Sequence, residues 1–162
     1  KVSLAIAQEM KLDEEAMKVI ARAAILHDIG KIEISENLLN KKEPISDSER
    51  ELFKKHPDNA IKILEPLKFL LKEKNIILQH HEHYDGKGYP KGLKGEAICL
   101  EARIIAVADS FDAMNSKRAY RQALSINAII AELQKCRGTQ FSSEVVDIFL
   151  ALLEKNPQLW ER

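Results

Sequence analysis

The chain has 162 residues, 45% of them hydrophobic, and its 25 basic residues balance 25 acidic ones. This is enough apolar content for one domain with a real core and excludes a disordered segment, while zero net charge removes any general electrostatic case for a nucleic acid polymer or a membrane surface. No apolar run approaches transmembrane length and no signal-peptide pattern is present, so a cytoplasmic protein is expected, with Cys99 and Cys136 as unpaired thiols.

In chain order, Lys1 to Ala7 already reads as the middle of a helix with no cap before it. That leads us to expect a fragment of a longer polypeptide whose first helix begins upstream. Asp13-Glu14-Glu15 supplies first-turn acids for a helix over 13–28, on which Met17, Ile20, Ala24 and His27 share a face, and Gly30 stops it. Residues 31–46 read as loop. Ser46 with Glu49 forms a capping box for a helix over 47–55. Pro57 suits the first position of a helix over 57–64, which Pro66 ends. A helix over 68–82 carries Ile76, Ile77, His80 and His81. Residues 84–96 are loop, with four glycines and Pro90. A long helix covers 97–114, another runs over 125–136 from Ser125 to a stop at Gly138, and the last spans 143–154 behind Ser142 or Ser143. No strand alternation appears, so the expectation is an all-α protein built as a single helical bundle.

The polar residues sit where apolar ones are due. In the helix over 97–114, Ile98, Ala102 and Ile105 form a stripe whose next positions are Asp109 and Asp112. A carboxylate on a buried stripe is costly unless paired or metal-bound. His27 interrupts the stripe of its own helix, and His80 follows Ile76 by four. Each has a bland reading: a lone buried histidine is usually satisfied by the core, Asp28 could bond loop amides near Gly30, and Asp109 could pair with Arg103 or Arg118. Taken together they point to one shared polar centre. Imidazole and carboxylate are the side chains that hold a borderline divalent metal.

The motifs HDIGK, then HP, then HHEHYDGKGYP from His80 to Pro90, then ADSFDA resemble the HD-GYP family, a branch of the HD phosphohydrolases, from Lys1 to about Phe149. The resemblance implies an HD-type bundle with a glycine-rich GYP loop over 1–162, fused to an upstream sensor or receiver domain. It implies a metal-dependent phosphodiesterase hydrolysing cyclic di-GMP to linear pGpG, and on to GMP, by metal-activated water. The cofactors would be two or three divalent ions, iron or manganese, held by His27, Asp28, His56, His80, His81 and Asp109. Asp28, Lys31 and Asp112 match catalytic positions, with Asp112 a proton relay or a salt-bridge partner of Lys31. Lys31, Arg118, Arg121 and Tyr89 match substrate-binding positions, although Tyr89 equally fits a packed turn. Implied partners are cyclic di-GMP, a GGDEF-domain or other signalling protein docking through the GYP loop, and a second copy in a homodimer. Members carry a further histidine ligand just upstream of the position of Lys1, and Glu33 and Ala119 depart from the usual residues. The alternative is a noncatalytic cyclic-dinucleotide-binding or protein-docking output module.

Overall fold

The computed structural model describes residues 1–41, 43–116 and 122–156. Local signals set the elements. Helix α1 spans Val2–Glu9. Asp13 caps α2 (Glu14–Leu26), its carboxylate accepting the Ala16 amide at 2.8 Å, with Glu14 and Glu15 complementing the helix dipole. Ser46 and Glu49 form the expected capping box on α4 (Asp47–Phe53), and Pro57 sits in the first turn of α5 (His56–Leu64). Helix α6 is Leu71–Gln79, α7 is Leu100–Asn115, α8 (Ile126–Lys135) is capped by Ser125, and α9 is Ser143–Lys155. Among the described residues no strand forms, and no helix is long and apolar enough to cross a membrane.

Several boundaries differ from the sequence expectation: α2, α4 and α6 end at Leu26, Phe53 and Gln79 rather than at 28, 55 and 82, so His27, His80 and His81 follow their helices. Residues 31–46 are not all loop: a 3-10 turn, Ile29–Glu33, and a single-turn helix α3, Glu36–Leu39, occupy part of them and tuck Ile34 and Leu38 inward. Helix α6 begins at Leu71 rather than 68, because Leu67 and Leu70 donate backward into a turn after Pro66 that buries Leu70. Helix α7 begins at Leu100 because Gly95–Ala97 forms a separate 3-10 turn.

Helix α7 is the axis of the molecule and is buried on two faces. One face, with Ile104, Val107, Phe111 and Met114, joins α1, α8 and α9 in a large core. The other, with Ala102 and Ile105 preceded by Ile98, joins α2, α5 and α6 in a smaller core rich in alanine. Gly30 fixes how the turn after α2 meets α5. A Cβ there would lie 1.9 Å from the His56 carbonyl oxygen and 2.6 Å from the Ala60 nitrogen. Only glycine allows this backbone approach, which brings the His27-Asp28 turn against the start of α5.

Candidate metal centre

Three helix termini and the body of α7 meet at the edge of the smaller core. His27 and Asp28 follow α2, His56 opens α5, His80 and His81 follow α6, and Asp109 lies on α7. Asp28, His56, His80 and His81 each offer a ligand atom within 4.8 Å of one another. His27 joins them sideways, its Nε2 lying 3.6 Å from both an Asp28 and an Asp109 oxygen. The structure thus brings together all six expected ligands.

The histidines are oriented by backbone. His27 Nδ1 lies 2.9 Å from the Ala24 carbonyl, His56 Nδ1 2.7 Å from that of Phe53, and His80 Nδ1 2.6 Å from that of Ile77. A carbonyl only accepts, so each Nδ1 carries the hydrogen and each Nε2 presents a lone pair to the centre. The same use of the second ring nitrogen fixes tautomer and direction in metal-ligating histidines. His56 Nε2 and His80 Nε2 then face each other at 3.3 Å. Two lone pairs at that distance repel unless a cation lies beside them. His27 Nε2 and Asp28 Oδ1 are buried without a hydrogen-bond partner. Orphaned acceptors, matched donor types and a fixed tautomer fit a divalent metal.

The electrostatics agree. Burial lowers His80 to about 4 and holds His56 and His81 below their ordinary values, so these imidazoles stay neutral and able to ligate. Burial also opposes the charge on His27, but Asp109 and Asp28 outweigh it and raise the imidazole. Burial would raise Asp109, yet contact with His27 and the neighbouring imidazoles hold it well below the usual carboxylate range. A proton and a metal ion would compete for His27.

The other expected residues lie as follows. Lys31 Nζ is 2.6 Å from Asp28 Oδ2, so its nearest partner is the carboxylate of an expected ligand. Asp112 is exposed rather than on a buried stripe; α7 is buried on both faces, and its apolar periodicity cannot single out one face at that position. It lines, with Ser3, His27 and Asp109, a cavity of about 190 Å³ between α1, α2 and α7. Arg103 is committed to Glu96 at 2.7 Å and does not pair with Asp109. Tyr89 stacks on His81, centroids 4.9 Å apart at 26°. Arg118 and Arg121 lie outside the described residues.

Sequence reasoning passed over Glu82. It is 3% exposed, and its two oxygens accept the Lys91 and Leu93 amides at 2.7 and 2.9 Å. Its place directly after the paired histidines was the one available signal.

The HD domain family model matches residues 1–145. A cyclic di-GMP phosphodiesterase response regulator of Xanthomonas campestris is 44% identical over 156 residues, which is 95% of this chain and 40% of that protein. A cyclic di-GMP phosphodiesterase of Thermotoga maritima is 40% identical over 161 residues, 97% of this chain and 43% of that protein. A solved HDG"Y"P protein of Bdellovibrio bacteriovorus has the same fold, with a TM-score of 0.76 at 22% identity over 94% of this chain and 49% of that one. The chain thus spans less than half the length of these relatives.

Proposed function

Because the chain belongs to the HD domain family and carries the ordered HDIGK, HHE and DGKGYP motifs of its HD-GYP branch, we propose that it is a metal-dependent phosphodiesterase that opens cyclic di-GMP to linear pGpG and, by a second cut, to GMP. The observation that carries this reading is the convergence of Asp28, His56, His80 and His81, with three of the site's imidazoles fixed by backbone carbonyls to aim Nε2 inward.

His27, Asp28, His56, His80, His81 and Asp109 would hold two or three ions, and iron or manganese suits their nitrogen and oxygen donors. Bound divalent ions supply an activated water at neutral pH and offset charge on the phosphoryl oxygens. The chain's own residues do the rest. Lys31 places an ammonium at the edge of the ligand set, within reach of a phosphate oxygen entering there. Arg118 and Arg121 are assigned to the substrate phosphates, for which the guanidinium fork is suited. Asp112, exposed on the rim beside His27, takes the role of a proton relay. In the reaction the water oxygen bonds to phosphorus and the P–O3′ bond breaks. The departing 3′-oxygen takes up a proton, leaving a 5′-phosphate and a 3′-hydroxyl.

The test is cyclic di-GMP turnover without oxygen, after reconstitution with ferrous iron or manganese, with products separated by chromatography. Linear pGpG or GMP is expected. Intact substrate, with metal confirmed bound, would overturn the enzymatic reading in favour of a binding or docking module.

A further inference from the structure

Three of the four histidines at the centre are fixed by a backbone carbonyl, and the fourth is not. Among the described residues the His81 ring takes no hydrogen bond to a backbone carbonyl, and three other rings pack on it. It is tilted against His80 at 4.0 Å, edge-on to His56 at 4.9 Å, and stacked on Tyr89 at 4.9 Å. Tyr89 is the one of these neighbours that comes from the glycine-rich loop, so the orientation of His81 depends on where that loop lies.

The loop is fastened to the turn that carries the histidine. The Tyr89 amide donates to the His81 carbonyl at 3.1 Å. Gly88 lies so close that a Cβ would stand 2.1 Å from the His83 nitrogen and 2.5 Å from the Glu82 Cα. Beyond Tyr89 the chain is caught by Glu82, whose two carboxylate oxygens each accept one backbone amide, Lys91 and Leu93. Glu82 is buried and directly follows His81, so one side chain ties the return limb of the loop to the residue beside the ligand. A carboxylate suits this place because both partners are donors and it accepts at both oxygens.

We infer that Glu82 is a positioning residue for the metal ligand His81, acting through the loop that lays Tyr89 against that imidazole. The loop thereby constrains the direction of the His81 ring, as the Ala24, Phe53 and Ile77 carbonyls do for the other three, without selecting its tautomer. This rests on the metal reading of the site. Outer groups that orient a ligand typically change metal affinity about 10–100-fold when removed.

The experiment is titration of the metal-free protein with cobalt(II), followed by its visible absorption and by calorimetry. The unmutated protein, Glu82→Gln, Tyr89→Phe and Tyr89→Ala are compared, with helix content checked by circular dichroism. Glutamine would turn a donor toward one of the two amides, so Glu82→Gln is expected to weaken one cobalt ion about 10–100-fold and to shift its absorption bands. Tyr89→Ala should reproduce this, and Tyr89→Phe, which keeps the stacked ring, should not. A folded Glu82→Gln or Tyr89→Ala protein that binds cobalt as the unmutated one does would overturn the inference. Should Glu82→Gln fail to fold, the contrast between Tyr89→Ala and Tyr89→Phe decides. Failure of the unmutated protein to bind any cobalt would instead sink the metal reading, and the inference with it.

Discussion

Helix α7 divides the molecule into two halves built on different principles. Its first face packs Phe111 edge-on to Phe149 at 5.0 Å and joins them to Phe141, Leu133, Val145 and Leu153 in a core of large side chains. Its second face, through Ala102 and Ile105, meets Ala23 and Ala60, beside the Gly30 contact with α5. Small residues let helix backbones approach, and close backbones bring the ends of α2, α5 and α6 within one ligand sphere. The second half also buries charge, with Glu73 1% exposed and held by Arg22 at 2.6 Å. A half that gives up apolar bulk and accommodates buried polar groups contributes less to stability per residue and more to positioning. The large core contributes the stability against which that arrangement is held.

The largest expected effects come from cutting each half at its centre. His80→Ala should lower cyclic di-GMP turnover roughly 10³-fold or more while leaving helix content near that of the unmutated protein, measured by product chromatography and circular dichroism. Unchanged hydrolysis would remove His80 from the metal site. Phe149→Ala, at a position with no exposure in the other half, should destabilise the fold by about 3–5 kcal/mol in urea denaturation. Under conditions where it is folded, it should bind manganese as the unmutated protein does. Loss of metal affinity in folded Phe149→Ala would show that the two halves are not separable.

A smaller effect distinguishes the halves by pH. The folded state holds His80 at about 4, below the ordinary 6.5 of a histidine, and depresses His56 and His81 as well. Between those values the unfolded chain binds more protons than the folded one, so stability rises with pH across the window and is lost as pH falls from about 6.5 toward 4. For His80 alone the loss is of order 3 kcal/mol. His27 has the opposite sign: its raised value contributes stability that is full below 6.5 and lost as pH rises through that raised value. With three imidazoles against one, metal-free protein should show a falling urea midpoint between pH 6.5 and 4, and His80→Asn should flatten the slope. The same slope in both proteins would remove His80 as a source of the titration.

Much of this division was legible in the chain. Asp13, Ser46 with Glu49, Pro57 and Ser125 announced helix starts because caps and fixed φ angles act locally, and the structure uses each of them. His27 and His80 stood out because a period of 3.6 predicts an apolar residue where each lies. Asp112 was misread for the converse reason: α7 is apolar toward both cores, so its pattern does not mark a single inward face, and the residue is exposed. Glu82 escaped notice because an acid beside a glycine-rich loop reads as solvated. Its burial is a tertiary fact, produced by the amides of Lys91 and Leu93 nine and eleven residues away. The Tyr89 stack on His81 is tertiary in the same sense, and sequence left the ring equally suited to a packed turn.

The finest test of the division uses two neighbours on α7. Ile104 is fully buried in the large core, and Ile105, 2% exposed, belongs to the smaller one. Each loses one methylene on change to valine, so each variant should lose about 0.5–1.5 kcal/mol of stability. The two losses should be of similar size, because burial and chemistry match. Their consequences for the site should differ. Ile105 lies four residues before Asp109, on the same helix face, and lines the cavity that also exposes His27 and Asp109. Removing its methylene gives those two side chains room to relax, so Ile105→Val should weaken manganese binding severalfold, and Ile104→Val should leave it unchanged. Equal effects on affinity would mean that the cores transmit strain through α7 as a single body. Unequal effects in the stated direction would mean that α7 insulates one face from the other, and that the site depends on the packing of its own half alone.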